Sequence, residues 1–356
     1  MIKGIGINCN DEAIDGRLDR LEREIEQAHS AGFDAYELSL PACNVIKGGR
    51  TDDAELGRLA SLLQSKPLRY TVHAPCSLRL ADRNEIHERV FLSCLDVTHR
   101  IGAGVMVYHS AQLALRPADQ DTGPLPDADE LARSWRVETE ALRRMADRAE
   151  RLGVTIAVEN RDPHLWEIAA LRRHGKAADQ LVTYHQGMRL DLIAEQVQAL
   201  GSANVGICLD VGHAFLAAAY WSTDFLAQIR QVAGFVRHVH WHDNFGRLDD
   251  RCESLAERLI FGEADNHLPP GWGAIPLAET LAALVQAGYS GWLTIELRPR
   301  YFYLMAETAR EARRMIGQFA RQCQTAPAIN RRATEQRPVN GAGTSAPTKP
   351  GSPGAA

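Results

Sequence analysis

Long apolar runs are missing from this chain of 356 residues: nowhere do eighteen apolar residues follow one another, so we expect no membrane span. An excess of positive charge is missing as well. The net charge is −5 and the pI is about 6.2, which disfavours an electrostatic nucleic-acid binder but leaves that partner open. The amino terminus enters a strand-like pattern at once and lacks the layout of a signal peptide. We therefore expect a cytoplasmic protein.

Paired cysteines are also missing. The seven cysteines are odd in number, scattered, and include no C-x-x-C pair; they are Cys9, Cys43, Cys76, Cys94, Cys208, Cys252 and Cys323. This distribution is typical of reduced thiols in the cytoplasm, and it argues against a disulfide framework or a thiolate metal site.

What the sequence does contain is an alternation of short apolar strands and amphipathic helices. The pattern predicts eight strands, at 5–9, 33–40, 69–73, 104–109, 154–159, 205–209, 235–241 and 291–296. It predicts helices near 12–31, 56–63, 84–101, 129–152, 189–200, 277–284 and 303–322. Eight such repeats favour an α/β fold, a (β/α)8 TIM barrel over residues 1–324. A doubly wound open sheet is the alternative, but no G-x-G-x-x-G turn follows the first strand.

Three segments fall outside this repeat. The polar insertions 111–128 and 161–188 are expected to shape either a pocket or a subunit contact, and the sequence does not distinguish the two. The tail 325–356 is rich in Pro, Gly, Ala, Ser and Thr and has almost no large apolar residue. Because it cannot bury enough surface to offset its ordering entropy, we predict that this tail is disordered.

Acidic residues and histidines occupy the ends of six successive strands. The 45 Asp and Glu residues and the 13 His residues amount to 58 of 356, so a random position carries one about 16% of the time. Six in succession is far above that rate, and in a closed barrel all strand ends converge on one mouth. The six residues are His73, His109, Glu159, Asp210, His240 and Glu296.

Three further candidates lie in the loops. His213 follows Asp210 by three residues, and Asp265 and His267 are two residues apart. Singly, each candidate has an ordinary alternative as a turn residue, helix cap, core histidine or solvated loop residue. Together they crowd four carboxylates into one mouth, where each close pair costs about 4 kcal/mol at about 4 Å. Such a cluster needs cations, and carboxylates with imidazoles suit Zn²⁺ or Mn²⁺. Nine ligands exceed the needs of one ion, which suggests two or three.

The runs 72–75, 209–213, 240–244 and 265–271 resemble the xylose-isomerase-like TIM-barrel superfamily, in particular its sugar-phosphate isomerase/epimerase branch. Trp272 departs from the Glu expected between its neighbouring glycines. The endonuclease IV branch is similar in having all nine candidate ligands. That branch implies that His73, His109, Glu159, Asp210, His213, His240, Asp265, His267 and Glu296 hold three zinc ions.

The isomerase branch implies a different use of the same mouth. One ion would be held by Glu159, Asp210, His240 and Glu296 while Glu159 and Glu296 shuttle a proton, and His213 would touch substrate. Asn10, Glu37 and His242 are expected substrate contacts, with a charged rim position as the alternative for Glu37.

We favour a sugar or sugar-phosphate isomerase/epimerase acting on a small carbohydrate with one to three divalent ions. The loops after the second and third strands carry only Lys47, Arg50, Arg79 and Arg83, few cations for gripping DNA. An endonuclease IV-like phosphodiester hydrolase with a trinuclear zinc site is the alternative, and the ligand count favours it. Formation of a homo-oligomer stays open.

Overall fold

Each strand of the sheet pairs in parallel with the strands before and after it, and the first strand closes the ring by pairing with the last. This computed structural model describes residues 2–120, 123–248 and 255–325. The strands are β1 (Gly4–Asn8), β2 (Ala35–Ser39), β3 (Arg69–His73), β4 (Val105–His109), β5 (Thr155–Glu159), β6 (Val205–Asp210), β7 (Val236–His240) and β8 (Trp292–Ile295). The predicted (β/α)8 barrel is confirmed, and the open sheet is wrong.

Thirteen α-helices connect or extend the strands among the described residues. They are α1 (Asp11–Ile14), α2 (Leu18–Ala31), α3 (Asp53–Gln64), α4 (Glu85–Arg100), α5 (Ala128–Leu152), α6 (Leu165–Arg173), α7 (Leu181–Tyr184), α8 (Leu190–Leu200), α9 (Val211–Tyr220), α10 (Phe225–Val232), α11 (Leu255–Phe261), α12 (Leu277–Gln286) and α13 (Met305–Thr325). A two-stranded ladder, Ile46–Lys47 with Arg50–Thr51, follows β2. In the described part of the chain, no helix is both long and apolar enough to cross a membrane.

Alternate residues of each strand face opposite sides of the barrel wall. The outward residues, such as Leu38, Val72 and Leu209, pack under the helices in the large core. The inward residues include a small apolar cluster of Val107, Ala157 and Cys208. Along each strand, the inward-facing residues end at the mouth in a polar residue. The alternation that buries one face of the strand in the core therefore also places the candidate ligands in the mouth.

From β3 to β8, neighbouring strand ends are either level or staggered by two residues, and both arrangements keep the same face of each strand inward. His109 pairs in register with Glu159, and Asp210 pairs with His240. Because paired positions of neighbouring strands stand about 5 Å apart, their side chains project into the mouth as neighbours. Convergence of the candidate residues is therefore a property of the strand register.

The inserted segments form a second, smaller core beside the mouth. Leu115 follows β4 and Leu171 lies in α6; both pack with Met188 and with Ala217 of α9. The tail from residue 326 onward lies outside the described residues, so its predicted disorder stays a prediction.

Two helix predictions differ from the structure. The helix expected at 12–31 is broken into α1 and α2, because Asp15 and Gly16 adopt a left-handed backbone (φ 46° and 75°). Helices α9 and α10 had no counterpart in the prediction. Helix α9 has seven buried positions out of ten, which leaves little of the polar face that would give a helical period. Helix α10 has only eight residues, of which three are buried, so its apolar period is short.

Candidate metal and substrate site

Three predicted ligands surround the Nδ1 atom of His240, which is itself the fourth. That atom lies 2.9 Å from Glu159 Oε1, 3.3 Å from Glu296 Oε1 and 3.7 Å from Asp210 Oδ2. The side chains of Glu159, Asp210 and His240 are almost entirely buried, and that of Glu296 is 11% exposed. We call these four residues the deep site. Three carboxylates and one imidazole at these distances form a donor set suited to a divalent first-row ion.

Asp210 performs two tasks, one with each carboxylate oxygen. Its Oδ1 accepts a hydrogen bond from the backbone N–H of His213 and caps α9, while its Oδ2 faces His240. Asn160 fixes the backbone at this point, because its side chain both accepts from the N–H and donates to the C=O of Asp210. Asp210 can therefore cap α9 with one oxygen and offer the other oxygen to a metal ion.

Glu159 connects the deep site to two further histidines at the rim. Its Oε2 atom lies 3.2 Å from His73 Nε2 and 2.8 Å from His109 Nε2. These imidazoles are 12% and 14% exposed, so they stand at the wall of the mouth. His73 Nδ1 lies 2.7 Å from the carbonyl oxygen of Ala74 and donates to it, so Nε2 is the ring nitrogen that faces Glu159.

His213, Asp265 and His267 form a third group, with ligand atoms within 4.8 Å of one another. His213 Nδ1 lies 2.8 Å from the Asn160 carbonyl oxygen, so Nε2 is directed toward Asp265 at 3.6 Å. The loop that carries Asp265 and His267 is held by Asp243, whose carboxylate accepts from the N–H groups of Gly271 and Ile275. All nine predicted ligands therefore meet in one mouth.

The three expected substrate contacts lie at different depths. Asn10 caps α1 through Oδ1 and lines the mouth cavity. Glu37 lies inside the barrel, 2% exposed, with its carboxylate 2.8 Å from His238 Nε2 and 2.9 Å from His240 Nε2. The charged-rim alternative for Glu37 is wrong, because the side chain is interior. His242 is fully buried, and its Nε2 lies 3.0 Å from both oxygens of Asp210. Direct substrate contact by these residues stays a prediction.

Burial and the neighbouring charges shift the pKa values of the clustered side chains. Burial opposes ionisation of Glu159 and Asp210, but the neighbouring imidazoles outweigh it and hold the pKa of both carboxyls below the usual range. Burial lowers the pKa of His109 to about 4, against the pull of Glu159. Burial also opposes charging of His242, yet Asp210 and Asp265 raise its pKa to about 9. His109 is therefore neutral at pH 7, the form in which imidazole binds metals.

Sequence reasoning missed the layer beneath the ligands. Thr71, His238 and Thr294 each lie two residues before a strand-end candidate, and all three are buried beside Glu37. Counting back two residues from each ligand would have found them, because the strand period returns to the same face. Cys76, three residues after His73, was also passed over.

A cavity of about 300 Å³ opens above the deep site. Its lining includes His73, Cys76, His267 and Glu296 from the ligand clusters. The remaining polar lining comes from the other side of the mouth and comprises Asn8, Asn10, Asp11, Glu12, Glu37, Ser39 and Arg298. A cavity of this size lies at the lower end of the range for small-molecule sites.

Comparisons with known proteins point to one family. Residues 25–319 match the model described as a xylose isomerase-like TIM barrel. Among curated proteins, fructoselysine 3-epimerase of Escherichia coli O157:H7 is 29% identical over 133 residues, 37% of this chain and 48% of the relative. Inosose isomerase of Halalkalibacterium halodurans is 33% identical over 118 residues, 32% of this chain and 36% of the relative. The chain thus matches less than half the length of these relatives.

Solved structures share the fold over most of the chain. A D-tagatose 3-epimerase-like protein superposes with a TM-score of 0.62 at 19% identity, covering 90% of this chain and 99% of its own. The IOLI protein, solved with a binding zinc atom, superposes with a TM-score of 0.58 at 19% identity, covering 90% of this chain and 98% of its own. At these identities the likeness establishes the barrel architecture.

Proposed function

Because the chain belongs to the xylose isomerase-like TIM barrel family, we propose that it is a divalent-metal-dependent epimerase or isomerase of a sugar or sugar phosphate. The observation that carries the proposal is the deep site, where Glu159 Oε1 and Glu296 Oε1 lie 2.9 Å and 3.3 Å from the Nδ1 atom of His240 and Glu296 lines a cavity of about 300 Å³. The matched relatives named as a sugar epimerase and an inosose isomerase support it.

The ion would be held by Glu159, Asp210, His240 and Glu296. When bound there, a divalent cation supplies Lewis-acid stabilisation of the negative charge that develops on adjacent substrate oxygens. Either Zn²⁺ or Mn²⁺ suits this mixture of carboxylate and imidazole donors. The number of ions per chain, one to three, is part of the proposal.

Glu159 and Glu296 would move the proton at the carbon next to the substrate carbonyl. An epimerisation removes a proton from one face of that carbon and returns one to the other face, which requires two bases on opposite sides. Glu159 is held by His109 and His240, and Glu296 lines the cavity; in the proposed reaction each would serve one face of that carbon. His213, whose Nε2 is directed into the mouth, would contact a substrate hydroxyl.

Proton exchange with solvent provides the test. The purified chain is loaded with Mn²⁺, Co²⁺ or Zn²⁺ and incubated in D₂O with a panel of ketoses and their phosphates, and deuterium at the carbon next to the carbonyl is followed by NMR. We expect metal-dependent incorporation that Glu159→Gln removes. Glu140→Gln, an exposed change on the outer helix α5, is the matched control. Absence of incorporation with every metal and every sugar would contradict the proposal.

A phosphodiester hydrolase is the second candidate, and one observation favours it. The deep site, the His73/His109 pair and the His213/Asp265/His267 group together offer three adjoining donor sets. A cluster of two or three ions is suited to activating water and stabilising a leaving oxygen. The test is nicking of an abasic-site oligonucleotide by zinc-loaded protein. Cleavage at micromolar enzyme, together with no deuterium incorporation, would replace the epimerase proposal.

A further inference from the structure

A thiol stands beside the two rim histidines. The Sγ atom of Cys76 and ring nitrogens of His73 and His109 lie within 4.8 Å of one another. Cys76 is exposed, whereas Cys9, Cys43, Cys94 and Cys208 are buried. Its side chain also lines the cavity above the deep site.

The fold brings these three side chains together for identifiable reasons. After β3 ends at His73, the N–H of Ala74 still donates to the carbonyl of Val107, so the chain continues along β4. The N–H of Leu78 then bonds back to the carbonyl of Pro75, and this turn returns Cys76 to the strand ends. His109 completes the group from the end of β4. An H-x-x-C spacing thereby supplies two ligands and the adjacent strand supplies the third.

The donor types in this group suit a zinc-like ion. The Arg161 guanidinium fixes the turn that carries Cys76, because it donates through Nη2 to the Cys76 carbonyl at 3.3 Å and through Nε to the Ser110 carbonyl at 2.5 Å. His73 Nδ1 donates to the Ala74 carbonyl, so Nε2 is the ring nitrogen that faces the mouth. Imidazole nitrogens and cysteine sulfur are ligands that zinc selects.

We propose that His73, His109 and Cys76 form a binding site for a thiophilic divalent cation of the Zn²⁺ class. We call these residues the rim site. Zn–N bonds of about 2.0–2.1 Å and Zn–S bonds of about 2.3 Å require the three donor atoms to approach to about 3.5 Å. The exposed Cys76 side chain can make that movement by rotation. On binding, the thiol loses its proton to solvent and the sulfur forms the bond to the metal.

If Cys76 is a ligand, an ion at the rim site does not need Glu159 as a ligand. With two histidines alone, an ion at the rim would need Glu159 Oε2 as its third protein ligand. With Cys76 as the third donor, Oε2 of Glu159 stays available for the proton transfer in which the proposed function places Glu159. The fourth position of a tetrahedral ion faces the cavity, which gives the rim ion access to solvent or substrate. The rim site itself does not depend on the proposed function.

Cobalt spectroscopy tests the site directly. The full-length chain is stripped of metal and titrated with Co²⁺, whose bond to a thiolate gives a near-ultraviolet charge-transfer band. We expect the band in the wild type and in Asp210→Asn, which removes a deep-site ligand. We expect the band to be lost in Cys76→Ser. The affinity of the rim site for Co²⁺ should fall by more than about 100-fold, because removal of a residue that only supports a ligand costs at most about that factor. A band of unchanged intensity in Cys76→Ser would overturn the proposal.

Alkylation gives a second readout, in which Cys76 itself is left unchanged. Cys76 in the wild-type chain is exposed, so iodoacetamide should modify it, and peptide mapping identifies the site. We expect stoichiometric Zn²⁺ to slow this modification at least tenfold, and to give no protection in His73→Gln/His109→Gln. An alkylation rate at Cys76 that Zn²⁺ leaves unchanged would also overturn the proposal. Both results are obtained whether or not the chain has epimerase activity.

Discussion

The deep site and the rim site differ in how firmly the protein holds their side chains. In the deep site, His240 and Asp210 have further buried neighbours: His240 Nε2 lies 2.9 Å from Glu37 Oε1, and Asp210 accepts from His242 and from the N–H of His213. At the rim, His109 Nδ1 is buried with no hydrogen-bond partner among the described residues, and Cys76 is exposed. Supporting partners orient ligands and strengthen binding. We therefore expect a tightly bound deep ion and an exchangeable rim ion.

Glu159→Gln should have the largest effect, because this residue faces both sites, Oε1 toward His240 and Oε2 toward the rim histidines. We expect turnover to fall by at least about 10³-fold, equivalent to about 4 kcal/mol of barrier, with the circular dichroism spectrum unchanged. Steady-state kinetics with Glu140→Gln as control measures it. Activity within tenfold of the wild type would remove Glu159 from the mechanism.

Graded chelation should separate the two sites. We expect a weak chelator to remove the rim ion first and a strong chelator to remove the deep ion. Loss of an ion that was present at about 100 times its Kd should lower the free energy of unfolding by about 2.7 kcal/mol. Metal analysis and thermal unfolding at each step measure this, with chelator pre-saturated by the same ion as control. Loss of all ions at the same chelator strength would contradict the expectation that the deep site binds its ion more tightly than the rim site.

Gly212→Ala tests how closely the floor of the deep site is packed. A Cβ at this position would lie 2.0 Å from Cε1 of His242. That ring cannot move aside easily, because it stacks on His267 at 4.2 Å and contacts Asp210. We expect a loss of about 1–3 kcal/mol in urea unfolding. Gly57→Ala, where nothing lies within 4 Å, is the control and should be neutral or stabilising. Equal stability of the two variants would show that the floor is adaptable.

Glu37→Gln should weaken the deep site alone. The carboxylate holds His240 from below and is itself held by His238 and Thr71, so its neutral amide should lower deep-ion affinity by about 10–100-fold. Competition with a chelating dye measures the affinity, and the cobalt–thiolate band of the rim site should persist. Glu167→Gln, at a buried glutamate that pairs with His185 in the insertions, is the control. An affinity within twofold of the wild type would show that Glu37 gives no support.

The barrel and the ligand cluster could be predicted because strand periodicity reports both at once. His73, Glu159 and Asp210 end strands whose alternate residues are apolar, so their placement in a shared mouth needed only closure of the sheet. The support below the mouth was harder to predict. Glu37 lies in the middle of β2, and its partners His238 and His240 are about 200 residues away in sequence, so no local spacing joins them.

The absence of a C-x-x-C pair in the sequence led to the expectation of no thiolate metal site. The partners of Cys76 are imidazoles, one of them on another strand, and a search for cysteine pairs cannot find that combination. The insertions were recognised by composition, but their packing depends on residues far apart in sequence, such as Leu115 and Ala217. Hydrophobic contacts of that kind leave no periodic signal in either segment.

The lining of the mouth cavity is lopsided. Asn10, Cys76 and Arg298 belong to the segments that follow β1, β3 and β8, and Ser39 ends β2, whereas the small core of the insertions contains residues that follow β4 and β5. If the proposed sugar binds above the deep site, the part of it that extends beyond the metal would lie against the first group of residues. Ser39 and Arg298 are therefore the positions at which we expect substitutions to alter which sugars are accepted.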